Sequence, residues 1–436
     1  MDVEIAAATR FHTVCKVFIL DSLGVGIDGA SAPHADARAP SPHAGAIART
    51  CRCGGSAARL PAAGAVFPNA WQMHNQEFDC LHECAVVHAA GSTLAVAETC
   101  GRISGQALIV AVDVGCDIAA TLGLASRGGM RFCHPTTAGG FDAVAAAGRL
   151  LDLDQAALER AFAFQLAQAS GTMQAHQEGG PMLPMQVALN ARAALTACEL
   201  AVIGLTLPRE VFVGPFGYLQ LLESEWDLGS PLDELGRRWR IAGFSHKPYP
   251  AGRATHGGIE GVIALRDRVA FEPGEIADVR ISAPPLIVRL VGRPDLAVPE
   301  PSYARLCMAY VVAKVLLHGA LDPMHFRDTA LTDPATHALA GRVRTESDGN
   351  PDPNALAPRT VTMHLSDGRR LTRQCATMLA NPTRPLGRTR HLDKFRRCWH
   401  AAVDRPPPGD RERLIDMVGR LETPLDLREL TPLLAE

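Results

Sequence analysis

A change of texture near residue 243 constrains the fold of this chain more than any other feature. Before it, apolar residues recur at helical spacing in alanine-rich runs such as Q-A-A-L-E-R-A-F-A-F-Q-L-A-Q (155–168) and V-A-L-N-A-R-A-A-L-T-A-C-E-L-A-V-I-G (187–204). Aromatic residues make up only 5% of the chain, which favours helices packed through small side chains over an aromatic-rich sandwich. After it, V-A-F-E-P-G-E-I-A-D-V-R-I-S-A-P-P-L-I-V-R-L-V (269–291) offers short β-branched runs bounded by proline and glycine, the pattern of strands. A chain of 436 residues also exceeds what one hydrophobic core usually supports. The expected fold class is therefore mainly α. A large all-helical domain (1–242, resuming at 389–436) is interrupted by an inserted, smaller α+β domain (243–388).

Within that frame, 11–30 reads as a helix ending at Gly24, Gly26 and Gly29, and 31–65 as loop with one short helix at most. Residues 94–122 read as two helices broken at Gly101–Gly105, and 141–169 as two more, with Asp154 as an N-cap. The run 187–204 reads as a helix closing at Gly204. In the second half a helix is expected over 303–319. A strand pair is expected in G-R-V-R-T-E-S and T-V-T-M-H-L-S-D-G-R-R-L-T, with a hairpin turn at Asp367–Gly368. The segment 389–436 reads as helical with a break at Pro406–Pro408.

Composition narrows the function classes. The net charge is −3 without a long basic block, which argues against nucleic acid as a partner. The N-terminus lacks the apolar core of a signal peptide, and no apolar run is read as reaching the ~18–20 residues of a membrane span. The 12 scattered cysteines then read as reduced thiols, which suits a cytoplasmic protein. Cys51 and Cys53 form a lone C-x-C without a second pair at zinc-ribbon spacing.

The chemistry is concentrated in N-A-W-Q-M-H-N-Q-E-F-D-C-L-H-E-C-A-V-V-H (69–88), which holds His74, Glu77, Asp79, His82, Glu83 and His88. A solvated mixed-charge helix face would account for such a run. The interleaved Trp71, Met73, Phe78, Leu81, Val86 and Val87 argue instead for burial, which forces polar groups to find partners. Buried, interacting titratable groups tend to be functional. A metal-dependent hydrolase using His74, Asp79, His82 and His88 remains a separate reading, although the spacing lacks H-E-x-x-H.

That segment resembles the MmgE/PrpD family of 2-methylcitrate dehydratases, cis-aconitate decarboxylases and iminodisuccinate epimerases. The resemblance extends, in order, through I-L-D-S-L-G-V-G-I-D-G, C-H-P-T-T-A-G-G-F-D-A-V-A-A-A-G-R-L-L, S-G-T-M-Q-A-H, H-K-P-Y-P-A-G-R-A-T-H, A-R-L-C-M-A-Y-V-V-A and N-P-T-R-P-L-G-R-T-R-H-L-D-K-F-R-R-C. It implies a homodimer, cofactor-free and metal-free chemistry, and a site between a large helical domain and a smaller α+β domain. The implied function is a lyase of the 2-methylcitrate dehydratase kind acting on a small di- or tricarboxylic acid. An epimerase or a decarboxylase is the alternative.

Carried onto this sequence, the family's catalytic groups fall on the acidic position at Glu77 or Asp79, and on His88, His134, Lys247 and Tyr310. Asp79 is taken as catalytic, and Glu77, His82, Gln186, Arg253 and His256 as substrate-binding. One departure stands out: Gln186 falls where relatives carry a lysine, and Leu189 where they carry a histidine. A different substrate is expected, or a binding protein that has lost its catalysis. Read from the residues alone, Lys247 in S-H-K-P-Y-P suits a carboxylate partner, and Lys247→Met, which keeps much of the aliphatic stem, is expected to change folding little while catalysis falls. His134 stands at a helix entrance that can receive an anion, and Tyr310 lies mid-helix on an apolar face, where its hydroxyl needs a partner.

Overall fold

The computed structural model describes residues 2–33, 51–52, 59–88, 103–357, 359–402, 407–423 and 427–434. It is mainly α with small sheets. Helix α1 (Asp2–Gly29) runs through Gly24 and Gly26 without ending there. Those glycines serve close packing instead. A Cβ at Gly24 would overlap the Phe395 ring, and one at Gly29 would overlap the carbonyl of Gln72. Strands β1 (Cys51–Arg52) and β2 (Arg59–Leu60) form a short antiparallel pair before α2 (Ala62–Asn75). Most of the expected loop over 31–65, Cys53, and the expected helix and break over 94–102 lie outside the described residues.

Helix α3 (Gly105–Ala125) starts on Ser104, whose hydroxyl accepts from Ala107 N at 3.1 Å. It is 21 residues long and an 18-residue stretch of it has a mean hydropathy of 1.9, enough by length and composition to cross a membrane, which corrects the sequence reading. Here it is mostly buried, contributing Leu108, Ile109, Val112 and Ala119 to the helical core. Helix α4 (His134–Leu150) packs between α3 and the later α7. Helix α5 (Gln155–Leu166) is capped by Asp154, which accepts from Ala157 N at 2.7 Å. A short α6 (Met173–Glu178) precedes α7 (Met182–Ala201). Gly204 follows α7 with φ +80°, a conformation that glycine adopts freely.

After β3 (Leu81–His82) and β4 (Phe244–Ser245), which pair with each other, the second core forms on a four-stranded sheet. Its order is β6 (Val343–Ser347), β5 (Ile276–Ala283), β7 (Arg359–Leu365), β8 (Arg370–Cys375). β7 and β8 form the hairpin expected at Asp367–Gly368, with Gly368 at φ +90°. β6 instead joins β5 in parallel, so the expected pairing of 341–347 with 360–372 does not form. The expected strand P-L-I-V-R-L-V is helix α9 (Pro285–Val291). Proline suits a first helical turn, and Leu286, Ile287, Leu290 and Val291 bury one helical face that is hard to distinguish from a strand in so short a run. Helices α8 (His256–Arg268) and α10 (Met308–His318) pack with this sheet. The C-terminal α11 (Arg388–Ala401) returns to lie against α1, and α12 begins at Pro408 (Pro408–Gly419).

Candidate active site

The chain leaves α2 at Asn75 and turns sharply through Glu77 (φ +49°), entering β3 at Leu81. The β3–β4 register, Leu81 opposite Ser245 and His82 opposite Phe244, sets Asp79 across from Lys247 and Cys80 across from His246 when continued outward. Side chains alternate faces along extended backbone. Asp79 and Lys247 therefore meet on one side, and Cys80 and His246 on the other.

On the first side five groups crowd together. Asp79 Oδ2 lies 2.9 Å from His74 Nδ1 and 2.7 Å from His88 Nδ1. Lys247 Nζ lies 2.9 Å from Glu77 Oε2 and 3.6 Å from Asp79 Oδ1. The rings of His74 and His88 meet edge to face at 4.7 Å. Lys247 is 0% exposed, and its partners are buried, so these charges depend on one another. Burial opposes the charged forms, yet His88, His74 and Lys247 hold the Asp79 carboxyl well below the ordinary carboxylate range. Against the same burial, Lys247 and then the two histidines bring Glu77 down to about 2. The histidines divide. Asp79 overcomes burial at His74 and raises it, whereas burial together with Lys247 outweighs Asp79 at His88 and lowers it. Of the two, His88 is the histidine that resists protonation.

Three of these residues, His74, Glu77 and His88, line a cavity that draws on both halves of the chain; Asp79 and Lys247 do not line it. His74, Glu77 and His88 face Met130, Met173, His176 and Leu183 from the helical half, and Arg253, Leu290, Leu306 and Leu356 from the other. The pocket is largely apolar with a few polar groups on more than one wall, the form of a small-molecule site.

The other expected residues have separate places. His134 does not line the cavity, although Cys133 and Pro135 do. Its Nε2 is 3.1 Å from Glu223, and its Nδ1 is 3.3 Å from the Ala85 carbonyl, on the turn that leads to His88. Tyr310 is buried in the second core, donating to the carbonyls of His325 (2.8 Å) and Ala330 (2.9 Å). Gln186 accepts from Thr172 N at 2.8 Å and fixes the entry to α6. His82 accepts from Ala85 N and packs on Phe244. His256 donates from Nε2 to the Ala251 carbonyl while its Nδ1 faces Arg253. Arg253 does line the cavity, but its guanidinium is held by Glu83 at 2.7 Å and by the Leu379 carbonyl at 2.9 Å. The side chains of His82, Gln186, His256 and Tyr310 are thus occupied by local backbone, a use that residue type alone does not reveal.

For Tyr310 this has a measurable consequence. Tyr310→Phe removes the one hydroxyl hydrogen that these two part-buried carbonyls share, and an unfolding free energy lower by about 1 kcal/mol is expected in chemical denaturation.

His176 was absent from the residues expected to act, and His74 was expected only as a metal ligand of the hydrolase reading, although both stand in segments that carry the resemblance. His176 lines the cavity beside Arg293, with burial and that arginine lowering it to about 4. Nothing in the sequence marked Glu223 as the partner of His134.

His74, Asp79 and His88 also satisfy the spacing of a metal triad. Their contacts of 2.7 and 2.9 Å are tighter than the ~3.3 Å that nitrogen and oxygen ligands keep around one zinc. The His74 contact is a hydrogen bond, and His82 of the hydrolase reading lies elsewhere.

Residues 4–230 match the MmgE/PrpD N-terminal domain, and residues 249–422 match the MmgE/PrpD C-terminal domain. The chain is similar to a cis-aconitate decarboxylase of Aspergillus terreus (strain NIH 2624 / FGSC A1156), with 24% identity over 448 residues covering 96% of this chain and 90% of the relative. It is also similar to a second cis-aconitate decarboxylase of Aspergillus terreus, at 25% identity over 444 residues covering 95% and 90%. With two domain matches in order and over nearly its whole length, the chain belongs to the MmgE/PrpD family.

Proposed function

We propose that this protein is a lyase acting on a small di- or tricarboxylic acid by removing a proton α to a carboxylate. The observation that carries the reading is His88 on the wall of a largely apolar cavity, in contact with Asp79, with the buried Lys247 beside that carboxylate. His88, lowered and therefore neutral near neutral pH, takes the proton, and the C–H electron pair moves into the enediolate. Lys247 supplies positive charge where that enediolate forms. Protonated His74, close to His88 and sharing Asp79, gives a proton to hydroxide leaving the β carbon, which departs as water. His134 acts at one remove, by holding the turn that carries His88.

This chemistry corresponds to dehydration of a 2-methylcitrate-like acid. Decarboxylation is the second reading, favoured by the names of both relatives. There the C–C pair stays on carbon as carbon dioxide leaves, and a histidine protonates that carbon. A screen of methylcitrate, cis-aconitate, malate-like and iminodisuccinate-like acids, followed by product analysis, tests the proposal. No turnover of any of them by folded protein would overturn it. On the active substrate, kcat/KM is expected to hold down to pH 6.5 and to fall only below it, because His88 titrates below its ordinary 6.5. An acid limb centred above 6.5 would remove His88 from the role of base.

A further inference from the structure

The cavity carries a polar group that the proposed reaction does not use. His176 lines it from α6, as does Met173 at the start of that helix. The ring is fixed from behind. Arg293 Nη2 lies 3.3 Å from His176 Nδ1, and it also donates to the His176 carbonyl at 2.8 Å and to the Leu290 carbonyl at 3.0 Å. A guanidinium has donors and no acceptor, so Nδ1 accepts and the ring proton sits on Nε2. Burial and the same arginine bring His176 down to about 4, so the ring is neutral near neutral pH and keeps that tautomer. Among the described residues Nε2 has no hydrogen-bond partner, which leaves its N–H free for a group in the cavity.

The charge behind that ring is not offset. Arg293 contacts two carbonyls, the imidazole and the Tyr303 ring at 4.9 Å, and its buried Nε and Nη1 have no partner among the described residues. Arg253, on the cavity, is instead committed to Glu83 at 2.7 Å, and Lys247, behind it, to Glu77 at 2.9 Å. The backbone is shaped to admit Arg293. Helix α6 ends at Gly179 with φ +71°, where a Cβ would lie 2.7 Å from Arg293 Nη1 and from Tyr303. Gln186 holds the other end of α6 through Thr172, accepting from its N–H at 2.8 Å. Helix, histidine and arginine are therefore in place before a ligand arrives, which lowers the cost of binding one.

Given the polycarboxylate reading above, on which this rests, we propose that His176, backed by Arg293, binds a substrate carboxylate remote from the reacting carbon. The site thereby selects acids that carry a second or third carboxylate. His176 Nε2–H donates to the carboxylate oxygen, a hydrogen bond strengthened by the charge of its acceptor. Arg293 acts through the ring, fixing its tautomer and adding positive charge behind it. His176 reaches the cavity from α6, whereas His74 and His88 reach it from the 74–88 segment, so the carboxylate that His176 holds is one removed from the proton that His88 takes.

The test uses tricarballylate, a tricarboxylate with no hydroxyl to lose, so that binding is read apart from turnover. Calorimetry on the full chain is expected to show binding, weakened by about 10–100-fold in His176→Phe, the usual value of a hydrogen bond to a charged group. His176→Gln keeps an N–H donor and should recover part of that affinity. A merely structural His176 would lower the number of sites per chain and leave the affinity of the folded remainder unchanged. Nitrogen-15 histidine spectra of the wild type at pH 7 are expected to show His176 as the neutral Nε2–H tautomer, a preference that Arg293→Met should lose. On the active acid, KM should rise more in His176→Phe than kcat falls. No binding of tricarballylate by the wild type, equal binding by His176→Phe, or an Nδ1–H tautomer would overturn the proposal. If none of the screened acids is turned over while tricarballylate still binds through His176, the lyase reading falls and the carboxylate site stands.

Discussion

Turnover by a His88→Gln variant is expected to fall by about two to four orders of magnitude, the usual contribution of a positioned acid–base group, while the fold is kept. Glutamine can still donate an N–H toward Asp79 Oδ2, the atom 2.7 Å from the His88 ring. It has no nitrogen lone pair able to accept a proton from carbon. Asp79→Asn separates base from orienter. The amide keeps the shape, but both histidines lose the charge that raises their affinity for a proton. The rate should fall, and the acid limb of kcat/KM should move to lower pH. A merely structural Asp79 would lower the amount of folded enzyme without moving that limb. Because the two histidines share one carboxylate, the limb reports an apparent value for the group. Wild-type kcat in His88→Gln would assign proton abstraction elsewhere.

The sequence made the helical half, the later strands and the chemical density of 69–88 legible, because each rests on local periodicity or composition. What it left open depended on distance. Glu77 and Asp79 were interchangeable as written, and the structure gives them different partners, Lys247 for one and two histidines for the other. That division follows from the turn at Glu77 and from the β3–β4 register, neither of which has a local signal strong enough to read. Tyr310, Gln186, His82 and His256 show the converse. Each is a chemically capable residue, three within segments that carry the resemblance and Gln186 at its departure, whose polar atoms are engaged by nearby backbone or by Arg253. The strand expected over 285–291 failed for a third reason: seven residues are too few for alternation and helical spacing to be told apart.

Lys247 brings these threads to one experiment. As a surface lysine it would lose its charge at little cost to folding. With Lys247 fully buried and Glu77 and Asp79 at 2.9 and 3.6 Å, the expected result is different. Lys247→Met leaves two buried carboxylates facing only the histidines, and stability should drop by about 3–5 kcal/mol. Adding Glu77→Gln to Lys247→Met removes one uncompensated charge and should recover much of that loss. Catalysis should not recover with it. If the ammonium stabilises the enediolate, its interaction strengthens as charge develops, so kcat falls in both the single and the double variant. Lys247→Arg should rescue poorly, since a planar fork cannot occupy the place of a compact ammonium between two carboxylates. Denaturation and steady-state kinetics on the same preparations separate the two roles. Recovery of kcat together with stability in the double variant would make Lys247 a scaffold for Glu77 and nothing more.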